Sequence, residues 1–279
     1  MKRSAVYSHT SEYGEITVED VGFLRTLNLG AQRQSSMYLD SPFDTDYEYP
    51  GYFHIALALH PQTTRVLAIG LGGGTMVKRM WRDYPDMHLD AVELDPAVVD
   101  VAQRFFELPD DERITVATGD GRAFLESSSE TYDLIAVDAF DGERVPPHLL
   151  TEEFCREARD HLTEGGVLAY NFHGSVVGDR SKPFRSLYRT LSNVFVQQWI
   201  FPVGLSQGGP AGEHREIVVF ATDSPTTVNE LLGCIANRVE GRVSIPAFEQ
   251  FGADLYRSSV RAGDVPLLLD PTGRVRRTR

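Results

Sequence analysis

From residue 65 onward, short apolar runs alternate with amphipathic stretches. Residues 66–70, 88–93, 114–118, 132–138 and 166–172 carry the runs, with VLAI and LIAV the clearest. Unbroken apolar runs of this length mark strands covered on both faces, as in a parallel sheet. Residues 76–83, 97–106, 121–126 and 151–162 lie between them and read as helices. Right-handed βαβ connections then give a doubly wound sheet. Two later β-rich runs, 194–202 and 216–222, flank a turn region rich in Gly and Pro and predict a hairpin at the sheet's far edge. A last helix is expected over TVNELLGCIANRV, and the segment after it has no clear period.

The first forty residues follow a different rule. ITVED, FLRTLNL and SSMYL alternate or cluster β-formers, with Gly14, Gly22 and Gly30 between them, which predicts a small antiparallel meander. Residues 41–60 read as a linker and then a helix. The expected organisation is a small β domain over 1–50, a Rossmann-like nucleoside-binding catalytic domain over 51–240, and a partly disordered extension over 241–279.

Charge narrows the function. The 279 residues carry a formal net charge of −13, which argues against nucleic acid, because that partner needs a basic footprint. The one basic cluster, RVRRTR at 274–279, is expected to be a disordered tail. Cys155 and Cys234 supply neither a disulfide framework nor metal-ligand spacing, and each reads as a small buried apolar residue. No apolar stretch is long enough to span a bilayer, and the N-terminus lacks the apolar core of a signal peptide, so a reducing cytoplasm is the expected location.

In an open α/β sheet, ligands sit beyond the carboxyl ends of the strands. Those ends carry Gly70, Gly72, Gly73 and Gly74; then Glu93 and Asp95; then Gly119, Asp120 and Gly121; then Asp138 and Asp141; and finally Asn171 and His173. The glycines permit close backbone approach, and the next helix offers free N–H groups. Glu93 follows Gly74 by nineteen residues, the placement at which a carboxylate accepts both hydroxyls of a ribose. Asp120 can take the exocyclic amine of an adenine. With the terminal hairpin, these features favour S-adenosylmethionine or a relative over NAD, as a sulfonium ligand suits an acidic rim. Asp138 and Asp141 could form a solvated turn, a metal site or a cation site. No His or Cys partner stands at metal-ligand spacing, so a metal is not expected. A carboxylate pair beside a sulfonium suits an amine substrate, with one acid holding an ammonium and the other keeping the attacking nitrogen unprotonated. Among the histidines, His173 lies at the rim, whereas His148, His161 and His214 look peripheral.

The string VLAIGLGGGT, AVELDPAVVDVAQRFF, ATGDGRAFL, YDLIAVDAFD and PPHLLTEEFCREARDHLTEGGVLAYN resembles the spermidine synthases, the polyamine aminopropyltransferases, over residues 7–222. The resemblance implies an S-adenosylmethionine-dependent methyltransferase fold, with a seven-stranded, mostly parallel sheet ending in a hairpin, preceded by the small β domain. It implies transfer of the aminopropyl group of decarboxylated S-adenosylmethionine to a polyamine such as putrescine, with no tightly bound cofactor and a homo-dimeric or higher assembly. Carried onto this chain, Glu93 would hold the ribose, Asp120 the adenine, Asp138 would deprotonate the amine, and Asp141 would bind the polyamine. Gln34 would stand beside the co-substrate and Tyr52 beside the acceptor. The sequence departs from the family where the aspartate of G-G-G-D-G-G is Gly73, where the glutamine after the fifth strand is Asn171, and where IFPVGLSQGGPAGEHREI replaces Pro-Ser-Gly-x-Trp. A methyltransferase using the intact donor, and a non-catalytic nucleoside-binding homologue, are the alternative readings.

Overall fold

The computed structural model describes residues 3–142 and 144–271. The expected disordered run at 274–279 lies outside them. Among the described residues, eleven strands form two sheets. The first is an antiparallel meander of β1 (Arg3–Ser11), β2 (Gly14–Val21), β3 (Leu24–Leu29) and β4 (Gln32–Tyr38). The strand β1 is one more than the three β-rich segments in the sequence suggest. Its residues are mostly exposed, so no apolar alternation marks it.

The second sheet joins β5 (Arg65–Ile69), β6 (His88–Glu93), β7 (Ile114–Thr118), β8 (Tyr132–Val137), β9 (Leu162–Gly174), β10 (Gln197–Pro202) and β11 (Arg215–Thr222). Their order is β10-β11-β9-β8-β5-β6-β7, with β11 antiparallel to both neighbours. This is the mostly parallel sheet with a terminal hairpin expected of the methyltransferase fold. The order reverses beside β5, and the crevice there is where ligands bind in such sheets.

Helices α1 (Tyr49–Tyr52), α2 (Ala56–Leu59), α3 (Thr75–Asp83), α4 (Pro96–Phe105), α5 (Gly121–Ser127), α6 (Glu152–Asp160), α7 (Lys182–Val194) and α8 (Val228–Ala236) cover the faces. Helix α7 takes Val194 out of the strand expected over 194–202. Phe184, Leu187, Leu191 and Val194 recur at helical spacing and are all buried, so the helical period prevails over the β-propensity of VFVQQW.

Period-two alternation sorts the strands between two cores. Leu134, Ala136, Val167, Ala169, Val218 and Phe220 face one, whereas Ile135, Val137, Leu168, Tyr170, Ile217 and Val219 face the other. The meander rests on α4 through a third cluster of Ile16, Val18, Leu27, Met37, Val98, Val101 and Phe106. Two buried cations of α3 fasten the linker to this body. The Lys78 Nζ donates to the carbonyls of Pro42 (2.8 Å) and Phe106 (2.5 Å), and the Arg79 Nε donates to that of Phe43 (2.6 Å). Burial pushes Lys78 down to about 8.

Among residues 241–271, Val243, Ile245, Phe248 and Val265 are buried. Arg122 on α5 pins the end of this segment. Its guanidinium forms two-pronged pairs with Glu157 (2.6 and 2.7 Å) and Asp270 (2.8 and 2.9 Å), and it donates to the His148 carbonyl at 3.0 Å. Only 1% of its side chain is exposed. Removing one partner of a buried pair leaves uncompensated charge at a cost of roughly 3–5 kcal/mol. Arg122→Ala is therefore expected to lower the urea midpoint by the equivalent of about 3 kcal/mol, and a change below about 1 kcal/mol would show that the pairs are solvated.

Candidate active site

A cavity of about 700 Å³ lies between the meander and the carboxyl ends of the parallel strands. Ile16, Leu27 and Leu29 form one wall and the glycine loop forms the floor. Among the described residues six carboxylates line it: Glu15, Glu93, Asp95, Asp120, Asp138 and Asp141. Among the described residues no lysine or arginine lines it.

Each acid has a local reason for its place. Glu93 ends β6, and its carboxylate accepts from the backbone N–H of Leu71 (3.0 Å), Gly72 (3.4 Å) and Asp95 (3.2 Å). It therefore shapes the loop as well as facing the cavity. Asp95 caps α4 by accepting from the Ala97 N–H, and Asp120 caps α5 by accepting from the Ala123 N–H at 2.8 Å. The second Asp120 oxygen meets the His148 Nε2 at 2.7 Å. That contact, ahead of the Ala123 bond, holds Asp120 down at about 2. His148 thus belongs to the cavity wall and is not peripheral. Its place follows from the turn Pro147–Leu149, which Arg122 anchors through the His148 carbonyl.

Asp138 follows β8. Alternation from Leu134 and Ala136 turns its side chain to the same sheet face, where Asn171 arrives from β9. The Asn171 Nδ2 donates to Asp138 at 3.1 Å, and the Tyr49 hydroxyl donates to Asp138 as well. Burial is the largest influence on this carboxyl and pushes it up to about 6, against the two hydrogen bonds that favour its charged form. Asp141 stands exposed at the mouth, where its backbone N–H closes a turn on the Arg144 carbonyl.

The glycine loop packs closely at each of Gly70, Gly72, Gly73 and Gly74, and two of these contacts bear on the site. At Gly70, with φ of 97°, a Cβ would lie 2.3 Å from the Asp138 carbonyl oxygen, so β5 and β8 end in direct contact. At Gly73 a Cβ would lie 2.8 Å from the Phe106 ring and 3.1 Å from the Ser35 Cβ. Ser35, on β4, also accepts from the Gly73 N–H at 2.9 Å. The space where an acidic side chain would stand is occupied by Ser35 and Phe106. Gly72 and Gly121 lie in the same lining, and Gly121 lets α5 start against Ile69.

The structure brings Gln34, Gly70, Gly72, Glu93, Asp120, Gly121, Asp138 and Asp141 to one cavity. Gly73 lies behind it, against Ser35. Tyr52 does not join them. It is 2% exposed, its ring stacks on Phe251 at 4.1 Å, and its hydroxyl donates to Asp254 at 2.5 Å. A helical turn from 49 to 52 points one tyrosine at Asp138 and sends the next, three residues on, into the core. Tyr49 is the tyrosine at the site. Among the described residues no group of three His, Cys, Asp or Glu is placed to hold a metal ion, and no helix is long and apolar enough to cross a membrane.

The spermine/spermidine synthase domain matches residues 52–197. The polyamine aminopropyltransferase of Vibrio vulnificus is 34% identical over 205 residues, covering 69% of this chain and 68% of that protein. The polyamine aminopropyltransferase of Chromobacterium violaceum is 32% identical over 235 residues, covering 83% and 85%. In fold, the chain is similar to the crystal structure of a probable spermidine synthase from Corynebacterium glutamicum, with a TM-score of 0.70 and 20% identity over 94% of this chain and 99% of the other. This chain belongs to the spermine/spermidine synthase family and is a transferase of that type.

Proposed function

We propose that the chain transfers the aminopropyl group of decarboxylated S-adenosylmethionine to a polyamine such as putrescine, with Asp138 as the base. The observation that carries this reading is the run of six cavity carboxylates with no lysine or arginine among the described lining residues. A sulfonium and an ammonium are both attracted to such a rim. The intact donor adds a carboxylate that finds no cation there and meets like charge instead. This favours the decarboxylated donor and weighs against the methyltransferase alternative.

In this reading Glu93 holds the ribose, Asp120 the adenine amine, Gln34 flanks the donor, and Asp141 draws the cationic acceptor to the mouth. The reaction is an in-line displacement. The amine nitrogen forms a bond to the carbon beside sulfur, the carbon–sulfur bond breaks, and its electron pair neutralises the sulfonium to give methylthioadenosine. An alkylamine starts near a pKa of ~10, so it must lose a proton before its lone pair can attack. Asp138 takes that proton, and its raised value narrows the gap to the amine. Asn171 and Tyr49 hold the carboxyl in position. The rest of catalysis is alignment of the two reactants.

Asp138→Asn is expected to keep methylthioadenosine affinity within about threefold while turnover falls at least ~100-fold, the scale of a lost general base. Unchanged turnover, measured by methylthioadenosine release, would remove Asp138 from the role of base. The pH profile provides a second check. Asp138 acts when ionised and its value is raised, so kcat/KM should climb as pH rises through about 6 and level above it. A limb near the ordinary carboxylate value of ~4 would contradict the burial of Asp138. Gly73→Asp is expected to destabilise the fold by about 1–3 kcal/mol through overpacking, measured by urea unfolding. Donor affinity should not rise until Phe106 is also made smaller. A stable Gly73→Asp protein with tighter donor binding would show that the pocket yields freely.

A further inference from the structure

Residues 264–271 form no helix or strand, yet side chains and backbone tie them to the body along their path. Arg185 of α7 pairs with Asp264, and the Arg189 guanidinium donates to the Val265 carbonyl. The Leu268 N–H donates to the Thr190 hydroxyl at 3.0 Å, and the Leu268 carbonyl accepts the Glu152 N–H at 2.8 Å. That N–H belongs to the first turn of α6, where the helix itself supplies no acceptor. The Asp270 N–H then donates to Glu153 at 2.9 Å, and its carboxylate meets Arg122.

Arg122 is where this segment reaches the site. The five N–H groups of its guanidinium are all engaged: Glu157 takes Nε and one hydrogen of Nη2, Asp270 takes the other and one of Nη1, and the last goes to the His148 carbonyl. The Thr151 hydroxyl shares Nη1 at 3.3 Å. The Tyr170 hydroxyl donates to the next carbonyl, that of Leu149, at 2.7 Å. The turn Pro147–Leu149 is thus fixed at two successive carbonyls, one of them through a cation that Asp270 orients. From this turn the His148 imidazole reaches Asp120. With one oxygen on the Ala123 N–H and the other on His148, the plane of the Asp120 carboxylate is locked. Each oxygen keeps a further lone pair for a donor in the cavity that both residues line.

We propose that Asp270 is a positioning residue for the donor: through Arg122 it sets the His148 turn, and His148 keeps Asp120 aimed at the exocyclic amine of the bound nucleoside. This rests on the assignment of Asp120 to the adenine amine and not on which group is transferred. The end of the chain thereby controls how strictly the site demands an adenine.

The test compares methylthioadenosine with its 6-deamino analogue, which lacks only the exocyclic amine, each titrated calorimetrically into the full-length protein. The wild type should prefer the amine-bearing nucleoside at least about tenfold, the scale of one hydrogen bond to an ionised acceptor. Asp270→Ala should cut that preference at least about threefold, the low end for one hydrogen bond. Asp270→Asn, which keeps one acceptor, should lose less. In Asp270→Ala the donor KM should rise while kcat stays within about twofold, the signature of lost uniform binding. Because Asp270 acts through His148, adding Asp270→Ala to His148→Ala should lower the preference no further. Asp264→Ala frees the same segment away from Arg122 and should leave the preference intact. An unchanged preference in Asp270→Ala or in Asp270→Asn, additive losses in the double variant, or an equal loss in Asp264→Ala would overturn the proposal. Equal affinity of the wild type for the two nucleosides would overturn it together with the Asp120 assignment. A preference that depends on Asp270 in a protein that transfers no aminopropyl group would support it while overturning the activity reading.

Discussion

The structure is governed by negative charge gathered at one edge of a sheet, with no lysine or arginine among the described residues that line it. Glu93, Asp95, Asp120, Asp138 and Asp141 arrive there because successive parallel strands end at the same level. Backbone groups stabilise part of this charge: Asp95 and Asp120 cap helices, and Glu93 accepts three N–H groups of the loop and the next turn. Asp138 and Glu216 have less support of this kind, and burial raises both. Like charges in a half-closed space disfavour each other's ionisation, and a bound cation relieves them. In the proposed reading this edge attracts sulfonium and ammonium groups, whereas the raised value of Asp138 comes first from its burial.

The antiparallel meander makes that edge into a cavity. Its apolar face packs on α4, and its strand β4 lays Ser35 against the glycine loop. Lys78 and Arg79, buried on the helix that follows the loop, hold the carbonyls of the linker and keep the wall in place. The same packing closes the space at Gly73. The loop therefore has no room for a side chain at Gly73, where typical relatives carry an aspartate.

Much of this was legible in the sequence, because periodicity reports what is buried. The five parallel strands follow from continuous apolar runs, and the acids at their ends follow from the rule that such sheets bind beyond their carboxyl edge. Tyr49 and Glu216 were hidden. Tyr49 lies in a short irregular helix, where a three-residue offset exchanges core and cavity, and Tyr52 was the more conspicuous of the two. Glu216 is the second residue of β11, whose pairing partner β9 is known only once the sheet order is known. Helix α7 carries its signal in Phe184, Leu187, Leu191 and Val194, yet the sequence reading placed no helix there and took Val194 for the start of a strand. His148 reaches Asp120 only through the anchoring of its turn by Arg122, a contact between α5 and residues near the end of the chain that no local pattern encodes.

The central claim is that this cavity is built for positive charge and has no place for a carboxylate. Calorimetric titration of the purified protein with decarboxylated and with intact S-adenosylmethionine, side by side, tests it most directly. The account predicts that the decarboxylated donor binds at least about tenfold tighter, since a further negative charge on this rim is repelled. Equal affinity, or tighter binding of the intact donor, would contradict it.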